Sequence, residues 1–166
     1  MQYACLAHVS GGLSRIAFNS STGNAISCNG IYGNSGLGID LRDDGVTPND
    51  IGDGDGGPNL RQNFPVLTQA RTNGVGSITI DGSLNSSAIT TFRVEFFASV
   101  TGDPTGYGEG ERYLGYVDVT TNGSGNATFS QPLSAVVAVG EVVTSTATDP
   151  LGNTSEFSAG IVATAL

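Results

Sequence analysis

The chain is predicted to be all-β, and three observations lead there. Good helix formers are scarce while Gly, Ser, Thr, Asn and β-branched residues are plentiful, with 25 glycines among 166 residues and no lysine at all. That balance favours tight turns and strands. Apolar and polar residues alternate with period two through the last hundred residues, and turn signals punctuate them at short intervals.

The alternating part is residues 66–166, read as an Ig-like antiparallel β-sandwich. ITIDGSL (78–84), FRVEFFASV (92–100), RYLGYVDVTT (112–121), NATFSQPL (126–133), VVTSTATD (142–149) and SEFSAGIVAT (155–164) read as strands. In the second of these Phe92, Val94 and Phe96 share one face, and Arg93 and Glu95 share the other. Asp81-Gly82, Gly102-Asp103-Pro104, Asn122-Gly123 and Asp149-Pro150-Leu151-Gly152 mark the turns. Short strands at this spacing suit a sandwich. Its core is expected to include Val94, Phe96, Tyr116 and Val143.

Residues 1–41 have a different texture. Ile16, Ile26 and Ile31 are each followed three residues later by Asn19, Asn29 and Asn34. Short apolar pulses ending in Asn or Gly turns suggest a remnant of a parallel β-helix; an ordinary pair of hairpins is the plainer alternative. The 15 residues from Ile16 to Ile31 fall short of a full rung of about 20 or more. Residues 1–13 lie outside the pattern. Residues 42–65, dense in Asp, Gly and Pro, are read as a loop or linker joining the two parts.

Fifteen acids against six arginines give a net charge of −9. Phosphate backbones and anionic lipid surfaces would repel such a chain, so nucleic acid is not an expected partner. No apolar run is long enough to insert in a membrane, and MQYACLAHVSGGLS does not read as a signal peptide. Cys5 and Cys28 lack zinc spacing, and their pairing depends on geometry that sequence does not carry. The charge suits a protein that recruits cations.

Six of the ten aspartates lie between Asp40 and Asp55. Calcium takes six to eight oxygens from carboxylates, amides and turn carbonyls. Asp43, Asp44, Asn49, Asp50, Asp53, Asp55 and Asn59 supply such oxygens within 17 residues. They are the expected ligands, since carboxylates crowded without a cation repel one another. The spacing is not that of an EF-hand, whose twelfth position here is Phe64. A solvated acidic linker is the alternative.

No catalytic constellation stands out. Glu109 and Glu111 read as a solvated turn, and as lesser candidates to lend calcium an oxygen. Asp149, Asn153 and Glu156 read as a turn cluster. His8, the sole histidine, has no nucleophile elbow to serve.

The run IYGNSGLGIDL, then DGVTPND, QNFPVL, VEFFAS, TGYGEGERYLG and TATDPLGNTSEFS, resembles the C-terminal region of bacterial secreted proteins. In those proteins right-handed parallel β-helix repeats precede an Ig-like β-sandwich. The resemblance implies an extracellular or cell-surface module with a structural or adhesive role and no assigned catalytic residues. Its expected partners are cell-surface polysaccharide or protein, as a monomer or an edge-paired homodimer. Two other functions are weighed beside it. A calcium-dependent ester or lactone hydrolase would use the cation to polarise a carbonyl and hold water. A carbohydrate-binding module would use Tyr107, Tyr113 and Tyr116.

Overall fold

The computed structural model describes residues 8–12, 16–17 and 21–166, the first two stretches by their backbone pairing alone. Cys5 and Phe18, and the side chains of His8 and Ile16, lie outside the described residues. So does the question of a Cys5–Cys28 pair.

The N-terminal region holds β1 (His8–Gly12), β2 (Ile16–Ala17), β3 (Gly30–Asn34) and β4 (Ile39–Asp40). They pair in parallel, β1 with β3 and β2 with β4. The register sets Val9 beside Ile31 and Ile16 beside Ile39, so partners lie 22 and 23 residues apart. The repeat therefore differs from the 15-residue spacing of the Ile pulses. Ile16 and Ile31 look alike in sequence but belong to different pairings.

Residues 66–166 fold as two four-stranded sheets. One is built from β5 (Val66–Thr72), β6 (Ile78–Asn85) and β9 (Asn126–Leu133), with β12 (Thr164–Ala165) added in parallel at the β5 edge. The other runs β11-β10-β7-β8, from β7 (Thr91–Ser99), β8 (Arg112–Thr120), β10 (Val142–Thr148) and β11 (Ile161–Val162), all antiparallel. Local chemistry explains the turns. The Asn73 side-chain oxygen accepts from the amides of Val75, Gly76 and Ser77, closing the β5–β6 connection. At Gly82 a Cβ would lie 2.6 Å from the Phe129 ring, so only glycine lets β9 place that ring over β6.

The inner faces of the sheets share one apolar core. Ile78, Ile80, Leu84 and Phe129 meet Phe92, Val94, Phe96 and Val143 there. Tyr116 is not part of it. The β7–β8 register shifts between Phe96 and Phe97, and Tyr116 stands opposite Glu95 on the outer face, 44% exposed under the Arg93 guanidinium. The tail 155–164 is not one strand. Ser155 and Ser158 donate to the Ala147 and Ser145 carbonyls, and ladder pairing begins only at Ile161. Residues 66–72, unremarked in the sequence, form β5.

A second apolar cluster closes the outer face of the β7–β8–β10 sheet. Phe97 and Phe157 pack there against Ile31, Ile39 and Leu41 of the N-terminal region. The N-terminal residues thus dock on the sheet. Among the described residues no helix is long and apolar enough to cross a membrane.

Candidate metal centre

The acidic loop is folded down on the end of the two-layer unit by side chains that imitate backbone. Asn49 donates to the Phe64 carbonyl at 2.8 Å and accepts from the Phe64 amide at 3.0 Å, pinning both ends of the loop together. Asn63, almost fully buried, accepts from the Asp50 amide and donates to the Asp50 and Asn85 carbonyls. Asn85, the last residue of β6, accepts the Gly52 amide at 2.8 Å. These bonds bend residues 50–55 so that three carboxylates converge.

Asp50, Asp53 and Asp55 each bring an oxygen within 4.8 Å of the others. All three are half-buried. Asp53 accepts from the Ser86 hydroxyl at 2.5 Å and from the Asn63 amide at 3.0 Å. Ser86 in turn accepts from Gln62 at 3.0 Å. Burial, with the charges of Asp50 and Asp55 adding to it and the two hydrogen bonds opposing, pushes the Asp53 carboxyl up to about 6. Asp55 also meets the Arg61 guanidinium at 3.1 Å through Oδ2. Asp50 Oδ1 and Asp55 Oδ1 are buried with no hydrogen-bond partner. Unpartnered carboxylate oxygens facing other carboxylates are an arrangement that a hard cation relieves.

The remaining expected ligands stand elsewhere. Asp43 and Asp44 are exposed on a turn whose amides, from Arg42 to Gly45, point at the buried Asp40 carboxylate. Asp44 lies 3.6 Å from Arg42. Asn49 is occupied by Phe64. Asn59, fully buried, spends its amide on Asn24 and the Thr154 carbonyl and so ties the loop to the N-terminal region. Asn63, Ser86, Gln62 and Arg61 were not singled out in the sequence. Nothing in their spacing marks them, because their role depends on the end of β6 arriving beside the loop.

The other acids also have defined places. Glu109 is not in a solvated turn: it is buried and accepts the Asn34 side-chain amide at 2.6 Å. Asp149 and Asn153 do form a turn, bonded at 2.7 Å. Glu156 leaves that cluster, since its carboxylate accepts the Leu41 amide at 2.9 Å and the Thr47 amide at 2.8 Å. Burial raises its pKa against those bonds. The tyrosines do not make one platform. Tyr107 edges Phe64, Tyr113 edges Phe97, and Tyr116 lies under Arg93. No family model matches the chain, and no curated protein matches it.

Proposed function

We propose that this chain is a calcium-binding structural module, an Ig-like sandwich with a parallel β-helix remnant docked on its outer face, suited to a cell surface or extracellular setting. The observation that carries the calcium reading is the convergence of Asp50, Asp53 and Asp55 with two buried oxygens left unpartnered. Carboxylate oxygens without sulfur or imidazole favour a hard cation such as calcium over zinc or copper. Turn carbonyls and water would complete the coordination. Two further features support the fold reading. The parallel register of 22 and 23 residues suits a β-helix rung. The sheet orders β12-β5-β6-β9 and β11-β10-β7-β8 suit an Ig-like arrangement.

The role of the cation in this reading is to hold residues 50–55 on Asn85 and Ser86, replacing repulsion among carboxylates with coordination. Calcium at a hundred times its Kd should then stabilise the fold by about 2.7 kcal/mol, because it binds only the folded state. Thermal melts of the intact chain in calcium and in chelator test this. Asp53→Asn and Asp55→Asn should abolish the shift, whereas Asp43→Asn should leave it in place. Melts that overlay with and without calcium would remove the reading.

A further inference from the structure

We propose that the cleft beside the aspartate cluster binds an oxyanionic group, a carboxylate or a sulfate, and does so when calcium occupies Asp50, Asp53 and Asp55. The calcium dependence rests on the reading given above. The anion site has its own observations.

The cleft has a volume of about 280 Å³ and is walled by Arg42, Asp44, Thr47, Pro48, Asp55 and Arg61. The chain has only six basic residues in total, and two of them meet here. Neither guanidinium is fully engaged. Arg61 donates once, from Nη1 to Asp55 Oδ2 at 3.1 Å, while its Nε is buried against Gly57, so it is the terminal nitrogens that an anion would meet. Arg42 stands 3.6 Å from Asp44 Oδ2, an ion pair too long for a hydrogen bond. A guanidinium offers five donors in a planar fork, and the fork matches a carboxylate or sulfate edge.

Arg61 is held in place at a conformational cost. Asn59, Leu60 and Arg61 follow one another at φ of +42°, +55° and +53°, a left-handed run that side chains disfavour. Gly57 makes room for it, since a Cβ there would lie 3.2 Å from Arg61 Nε. Backbone strain of this kind persists where the surroundings over-determine it.

Asp55 couples the two sites. One of its oxygens belongs to the aspartate cluster, and Oδ2 meets Arg61. Without a cation, four carboxylates at Asp44, Asp50, Asp53 and Asp55 outnumber the two guanidiniums of Arg42 and Arg61, so the local field is negative and turns anions away. A divalent cation cancels that excess. It also draws electron density from Asp55, which weakens the carboxylate as an acceptor and releases the Arg61 fork for a two-point contact with an incoming oxyanion. Binding at either site then favours the other, as linkage demands.

Isothermal titration of the intact chain tests the proposal, using sodium sulfate, glucuronate and glucose at matched ionic strength, each in calcium and in chelator. Sulfate or glucuronate should bind at least about tenfold more tightly in calcium, within the usual range of such coupling, and glucose should not bind. The stronger of the two anions identifies the ligand as carboxylate or sulfate. Arg61→Lys keeps the charge but loses the fork, and Arg42→Gln removes the charge from a half-exposed side chain. Each should weaken the anion about tenfold, the loss expected for one charge-assisted contact, while calcium still binds. Calcium binding with no anion response overturns the oxyanion site, and so does anion binding that ignores both substitutions. Equal anion affinity in calcium and chelator overturns the coupling. Absence of calcium binding instead refutes the cation reading itself.

Discussion

Strand β7 is buried on both sides, yet its two faces are closed by different chemistry. Phe92, Val94, Phe96 and Ala98 point into the apolar layer between the sheets. Glu95 and Phe97 point the other way and are as fully buried, under residues 21–41. The inner face is sealed by hydrocarbon against hydrocarbon. On the outer face, glutamates of the sheet and its loops accept hydrogen bonds from the docked segment. Glu95 takes the Ser27 hydroxyl and the Cys28 amide, Glu109 takes the Asn34 amides, and Glu156 takes Leu41 and Thr47. Short parallel strands leave amides that no neighbouring strand satisfies, and carboxylates satisfy them instead. Among the described residues none of the three glutamates has an ion-pair partner, so each depends on these donors.

The largest effect is expected on the inner face. Phe96→Ala removes a ring that is fully buried against Phe129, at a cost of about 3–5 kcal/mol for truncations of this type. Denaturant titration of the folded chain measures it. A loss below about 1 kcal/mol would mean that the inner layer repacks freely, and the contrast between the faces would lose its basis.

Smaller and more local effects are expected outside. Glu95→Ala leaves the half-buried Cys28 amide unpaired, and Glu156→Ala leaves the buried Leu41 and half-buried Thr47 amides unpaired, each costing about 1–3 kcal/mol. The loss should be felt first by the docked segment. Hydrogen exchange should quicken at Cys28 in the first variant and at Leu41 and Thr47 in the second, while amides of β6 and β7 stay protected. If all these amides exchange together, the docked segment and the two sheets unfold as one unit. Deleting residues 1–41 would then unfold the rest.

This contrast also explains what the sequence could and could not disclose. Asn126–Leu133 was readable to the residue because a strand with one apolar face writes its period locally. Phe92, Val94 and Phe96 were readable for the same reason. Glu95 was assigned to the polar side of its strand, and nothing local says that Ser27 and Cys28 will cover it. The site divides along the same line. Crowded aspartates at 50, 53 and 55 were visible, whereas Asn49 and Asn59 looked like further ligands and proved to be occupied in holding backbone. An Asn oxygen serves either purpose, and the choice is made by which strand end arrives beside it. Tyr116 was expected in the core, yet it alternates with Val117 and Val119 and so falls on the outer face beside Asp118, opposite Glu95; the β7–β8 irregularity lies beyond it, between Phe96 and Phe97.

The smallest effect is on pH dependence; it has the same sign in the two regions, and calcium tells them apart. Asp53 is raised from 3.8 to about 6, and Glu156 is raised from 4.5, both chiefly by burial. A carboxyl with a raised folded pKa holds its proton in the folded chain where the unfolded chain has released it. Stability therefore falls as pH climbs through that interval, for Asp53 from about 4 to about 6, and the loss is complete above it. In chelator the intact chain should melt higher at pH 5 than an ordinary carboxylate-rich protein would relative to its own value at pH 7.5. Asp53→Asn removes its share of this slope, and Glu156→Gln removes the other share. Calcium acts only on the first. It binds the ionised Asp53, so saturating calcium should stabilise the chain at pH 7.5 more than at pH 5 and flatten the part of the slope that Asp53→Asn abolishes. The Glu156 part should persist in calcium, because that carboxylate answers to Leu41 and Thr47. Melting temperatures at pH 5, 6 and 7.5 for the three chains, each in calcium and in chelator, decide the matter. Parallel curves for the intact chain and Asp53→Asn in chelator would show that Asp53 titrates normally, and that the convergence of the three aspartates does not strain it.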